Sequence, residues 1–190
     1  MLKRNVTTLA FLVAAQAATA DEFAPALEAY LHSNVTAWAT DPVILDALRS
    51  ANSRTGDFDS DQILALDQAW RAEVGQSNTP TIEPILNNAA ADFLRGQVDA
   101  SGGAISEIFI MDSVGLNVAT SAVTSDMWQG DEAKFTQTYS AGPGATHIGE
   151  VEFDESAQTY LGQVSMAISD PATGELLGAV TVGVNAEQLF

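Results

Sequence analysis

The chain has 190 residues, enough for one domain with a hydrophobic core. It carries 25 acidic residues against seven basic ones, a formal net charge of −18, which repels phosphate backbones and speaks against nucleic acid or anionic lipid as a partner. It has no cysteine, which removes disulfides, thiol catalysis and cysteine-built zinc sites.

Residues 1–20 place Lys3 and Arg4 before a short apolar run, "LAFLVAAQAA", and close on Ala18-Thr19-Ala20 ahead of Asp21-Glu22. That is the layout of a cleaved secretory signal peptide, and the run is too short for a transmembrane helix. No later run is long enough to span a bilayer, so the mature chain is expected to be an exported, periplasmic protein without a membrane span. Past the signal region the basic residues are Arg49, Arg54, Arg71, Arg95 and Lys134.

From Asp21 to about Asn52 the apolar residues Phe23, Leu27, Tyr30, Leu31, Val35 and Trp38 recur at three- and four-residue steps, which predicts a helix. Asp41 suits a cap and Pro42 a first helical position, so a second helix is expected to start there. In "SRTGDFDSDQ", Asp57, Asp59 and Asp61 alternate as in a calcium loop, but Gln62 and Gln68 stand where that pattern needs glycine and glutamate. The other reading is that Asp59 or Ser60 caps a helix over "DQILALDQAWRAEV". A third helix is expected over "EPILNNAAADFLRGQ", ending near Gly96, with a turn from Val98 to Gly103.

From Ala104 the period changes to two. "AISEIFIMD" and "LNVATSA" read as strands joined by the turn "DSVG". "THIGEVEFD", "TYLGQVSMAISD" and "LLGAVTVGVNAEQL" read as three more, making five. The stretch Thr124–Tyr139 is inserted between the second and third. Helices first and strands afterwards predict an α+β fold, with helices on one face of a five-stranded antiparallel sheet and the insertion closing a small cavity over the other. Residues 21–190 are expected to form a single domain, helical over 21–97 and sheet over 104–190.

Several pieces, in this order, carry a resemblance: "VTAWATDPVILDALRSAN", "LALDQAWRA", "IFIMDSVGLNVATS", "SDMWQGDEAKF" and "VSMAISDPATGELLGAVTVGVN". Together they resemble the Cache family of extracellular, PAS-like sensor domains. The resemblance implies a long N-terminal helix, a PAS-like sheet and a pocket for a small molecule such as an amino acid, carboxylate, amine or nucleobase. It also implies signalling, here through a separate membrane receptor or sensor kinase, since no output module follows the last strand. Amino-acid-binding members carry an Arg-x-Trp pair over the sheet; here the comparable place reads Ala133-Lys134-Phe135, and an ammonium lacks the guanidinium fork.

Asp126, Trp128, Lys134, Tyr139, Tyr160 and Asp170 are the candidate ligand-binding residues. An aromatic face beside a carboxylate suits an amine through cation–π attraction and a charge-assisted hydrogen bond. Tyr139 could add a hydroxyl, and Asp170 could reach the pocket from the end of the fourth strand. Tyr160 shares an apolar strand face and lines the pocket or merely packs. The competing reading makes Thr124, Ser125 or Asp126 the cap of a helix starting near Gln129 or Gly130, with Trp128, Phe135 and Tyr139 on one packed face. His32 and His147 lie far apart, and no nucleophile–base pair or metal triad is visible, so neither enzyme activity nor a cofactor is expected. The remaining class is a ligand-free envelope module that docks or homodimerises through its N-terminal helix.

Overall fold

The computed structural model describes residues 23–155 and 158–190; the expected signal peptide lies outside them. Helix α1 covers residues 23–35 and ends in one π turn, Leu31–Val35, closed by the Thr36 amide on the Leu31 carbonyl at 3.1 Å. Leu27, Leu31 and Val35 are fully buried along one stripe. Helix α2, Pro42–Thr55, starts where Asp41 accepts from the Val43 amide at 2.9 Å with Pro42 in its first turn.

Helix α3, Ser60–Glu73, opens with a reciprocal cap. The Asp59 carboxylate accepts from the Gln62 amide, and the Gln62 side chain accepts from the Asp59 amide. The glutamine that breaks the calcium-loop pattern is therefore half of a capping box. Among the described residues no group of three His, Asp or Glu side chains could hold a metal ion.

The single helix expected over 83–96 is divided into α4, Glu83–Leu86, and α5, Ala89–Ala100. Asn88 causes the break. Its side chain accepts from Ala91 N at 2.9 Å as the cap of α5 and donates to the Val118 carbonyl at 3.1 Å, tying the junction to the sheet. Helix α5 then runs past Gly96, so the turn expected from Val98 shrinks to residues 101–104.

The strands are β1 Ile105–Met111, β2 Asn117–Thr120, β3 Thr146–Ile148, β4 Glu152–Asp154, β5 Thr159–Ser169 and β6 Leu176–Asn185. They form one antiparallel sheet in the order β2-β1-β6-β5-β3, with β4 also on β5. The expected third strand is thus two short ones in a single column: His147 faces Ser165, and Phe153 faces Tyr160. Between them the Gly149 amide bonds to the Gln163 carbonyl. The fold is α+β, as the change of period predicts.

Alternation sorts the sheet into two faces. Ile108, Ile110, Val164, Ile168, Val180, Val182 and Val184 point into the main core beneath α1, α2 and α5. Glu107, Phe109 and Met111 point the other way, beside Gly183, Thr181 and Ala179 of β6 and Gln163, Ser165 and Ala167 of β5. Among the described residues no helix is long and apolar enough to cross a membrane.

Candidate functional site

Residues 121–145 roof the second face. Helix here is far shorter than the competing reading expects: one turn, α6 Ala133–Thr136, followed by a 3₁₀ turn at Tyr139–Ala141. The backbone before it is spent elsewhere. Trp128 bridges Leu116, the Asn117 amide donates to the Met127 carbonyl, and the Gln129 amide donates to the Gly115 carbonyl. Residues 127–129 therefore continue the sheet beyond β2 and cannot start a helix.

Trp128 lies over the β1–β2 turn, with its indole N–H on the Val114 carbonyl at 2.9 Å. Two glycines make room for it: a Cβ on Gly130 would stand 2.3 Å from Trp128 Nε1, and one on Gly115 (φ +85°) 2.6 Å from Gly130 Cα. Phe135 and Tyr139 form a separate group. Their rings stack at 5.1 Å over Phe109, Met111 and Ala179, so the three aromatics of the insertion do not share one face. Burial raises the Tyr139 pKa, against the opposing effect of its hydrogen bond to Ser113.

A cavity of about 160 Å³ lies between the roof and the sheet, lined by Glu107, Phe109, Val123, Thr124, Ser125, Asp126, Gln129, Lys134 and Gln163. The Lys134 ammonium sits 5.4 Å from the centre of the Phe109 ring, 2.9 Å from Glu132 Oε2 and 3.2 Å from Gln129 Oε1. Asp126 accepts from Arg71 at 3.0 Å and from Gln129 at 2.5 Å. Past Glu107 and Gln163 the face opens into a groove of about 720 Å³ with Glu150, Glu152 and Glu155 in its wall. Beside the cavity the fully buried Ser165 and Thr181 hydroxyls bond each other at 2.9 Å.

Of the six candidate residues, the structure brings Asp126 and Lys134 together on this cavity. Trp128 and Tyr139 hold the roof without lining it. Tyr160 points to the helical side, stacked on Phe23 at 5.6 Å and edge-on to Phe153. Asp170 is also away from the cavity: its carboxylate accepts from Arg49 of α2 at 2.6 Å and from the Ala172 amide at 2.8 Å. The Arg49 hydrogen bond is the main cause that holds its pKa below the usual carboxylate range.

Sequence reasoning missed Glu107, Gln129 and Gln163 in the lining. It also missed Asp67, Trp70 and Arg71, which share one face of α3 and fasten the roof. Two signals could have found them: Glu107 sits at a non-core position of an otherwise apolar strand, and Asp67, Trp70 and Arg71 have i, i+3, i+4 spacing.

No protein-family model matches the chain. No curated protein matches it either. Several solved structures are similar. The sensor domain of the Vibrio cholerae histidine kinase DctB has 15% identity and a TM-score of 0.46, with 91% of this chain and 57% of that one covered. The ligand-binding domain of the Campylobacter jejuni chemoreceptor Tlp3, in complex with 4-methylisoleucine, has 15% identity and a TM-score of 0.41, covering 86% of this chain and 62% of that one. The ligand-binding domain of the Pseudomonas aeruginosa PAO1 amino acid chemoreceptor PctC, in complex with GABA, has 13% identity and a TM-score of 0.41, covering 92% and 59%. These three are sensor or ligand-binding domains of a histidine kinase and of chemoreceptors. The chain spans less than two thirds of the length of each. At these scores the likeness is one of general layout and assigns no residue.

Proposed function

We propose that this chain is a Cache-type sensor domain, exported to the periplasm by its N-terminal signal, that binds a small polar ligand between the sheet and the roof. The ligand is an amine, amino acid or organic acid, and a separate membrane receptor or sensor kinase reads the bound state. One observation carries this reading. The sheet face supplies a carboxylate and an amide, Glu107 and Gln163, and the roof an ammonium, a carboxylate and an amide, Lys134, Asp126 and Gln129, to one cavity, whereas the opposite face of the sheet is an apolar core. A purely structural roof would favour apolar closure, because buried polar groups cost free energy unless paired.

The test is a thermal-shift screen of amines, amino acids and organic acids. A real ligand at a hundred times its dissociation constant adds about 2.7 kcal/mol and raises the melting temperature. Lys134→Ala is expected to abolish that rise while leaving an unliganded fold that melts cooperatively. A flat screen across all three classes overturns the reading.

The ligand-free docking module has one observation in its favour: Phe135 and Tyr139 fill the centre of the roofed face. In that reading α1 forms a homodimer or docks on an envelope partner. It would give a flat screen together with a change of oligomeric state on disrupting the outer face of α1, read by light scattering.

A further inference from the structure

Three side chains on one face of α3 hold the start of the roof. The Trp70 indole donates to the Thr124 carbonyl at 2.9 Å. One oxygen of Asp67 accepts from the Met127 and Trp128 amides, each at 3.0 Å, and the other accepts from Arg71 Nε at 2.7 Å. Arg71 then reaches across with Nη2 to Asp126 at 3.0 Å. Its planar fork thus bridges two carboxylates through separate nitrogens held in fixed geometry, Nε on Asp67 and Nη2 on Asp126.

The contacts continue inward with a defined polarity. The free oxygen of Asp126 requires a donor, so the nitrogen of the Gln129 amide turns toward it and the amide oxygen turns toward Lys134. Lys134 uses a second donor on Glu132, which leaves a third for the cavity. The chain runs from Arg71, whose side chain is 55% exposed, to Lys134, whose side chain is 15% exposed. It joins the outer surface of α3 to the one ammonium lining the cavity.

We infer that Arg71 is a positioning residue for this site: acting through Asp126 and Gln129, it sets the Lys134 ammonium in the cavity. The inference rests on the roofed cavity being the ligand site, but its test needs no ligand. The chain has two lysines, Lys3 and Lys134. Amine acetylation of the chain without residues 1–20, followed by peptide mass spectrometry, therefore reads Lys134 as its one lysine, with the same protein acetylated in urea as the reference.

In Arg71→Gln the folded-to-urea labelling ratio of Lys134 is expected to rise about threefold, the order given by losing one half-exposed charged partner. Gln129→Leu cuts the chain nearer the amine while leaving Arg71 on both carboxylates, and is expected to give the same rise. It also keeps the test alive if Arg71→Gln does not fold. Arg95→Gln breaks the Arg95 pair with Asp92 on α5, away from the roof, and is expected to leave the ratio unchanged. An unchanged ratio in folded Arg71→Gln overturns the inference whatever Gln129→Leu gives, as does an unchanged ratio in Gln129→Leu or an equal rise in Arg95→Gln, which would mean general loosening. A flat ligand screen, by contrast, removes the ligand site and leaves this linkage standing.

Discussion

The two faces of the sheet are built from alternate residues of the same strands, yet they obey different rules. Toward the helices, Ile108, Ile110, Val180, Val182 and Val184 meet Leu27, Leu31, Ile44 and Leu48 in one apolar core. Toward the roof, Glu107, Thr181, Ser165 and Gln163 interrupt any such core, and its apolar contacts shrink to the cluster around Phe109 and Phe135. The difference shows where stability is drawn from: the helical face holds the fold together, which frees the roofed face to keep polar groups near a cavity.

The strongest way to break this contrast is truncation on the helical face. Ile110→Ala is expected to cost about 2–5 kcal/mol, whereas Gln163→Ala on the roofed face should stay within about 1 kcal/mol. Urea denaturation of both variants measures the asymmetry, and equal losses would abolish it.

Next in size is the fastening of the roof. Asp67→Ala leaves the Met127 and Trp128 amides without their acceptor, at about 1–3 kcal/mol. Hydrogen exchange should show these two amides losing protection ahead of the strands.

A smaller effect separates two buried carboxylates by pH. Arg49 holds Asp170 below the ordinary carboxylate range, so its stabilisation is present above about pH 4, its unfolded value, and is lost as the pH falls through the folded one. Asp170→Asn is expected to lower stability at pH 7 and to flatten the decline in melting temperature on acidification. Asp112, at the β1–β2 turn, behaves oppositely. Burial raises its pKa despite a hydrogen bond from Thr55, so its contribution is present below about pH 4 and is lost as the pH rises through the folded value. A melting series from pH 3 to pH 7 on Asp170→Asn and Asp112→Asn should show the two slopes changing in opposite senses.

Smallest is the pair of hydroxyls beneath the roof. Ser165→Ala with Thr181→Val removes both partners of one buried hydrogen bond and is expected to change stability by less than about 1 kcal/mol, while Thr181→Val alone leaves Ser165 unpaired and costs more. A thermal melt of the single and double variants checks the order.

Much of the scaffold was legible because its signals are local. The Leu27–Val35 stripe, the Asp41-Pro42 start, the Asp59 cap and the change to a two-residue period each need only a short window of chain. The errors came where a distant partner overrode the window. Asn88 ends one helix and starts another because it also binds Val118, thirty residues on. Residues 127–129 are extended because Leu116, Asn117 and Gly115 claim their backbone. Asp170 pairs with Arg49 across 121 residues, which no spacing rule exposes. Within the candidate site, Lys134 stood out as a rare positive charge, and Asp126 as a carboxylate beside an aromatic. Glu107 and Gln163 lie on strands whose facing could be read, but not their nearness to the insertion.

The divided outer column has a consequence for how the molecule meets its own copies. A long bare margin of a sheet invites templating by another chain, and short margins with charged side chains resist it. Here β3 and β4 offer three residues each, with Glu150 and Glu152 at the interruption. The opposite margin is partly occupied by the backbone of residues 127–129. Growth of the sheet from either side is thus discouraged.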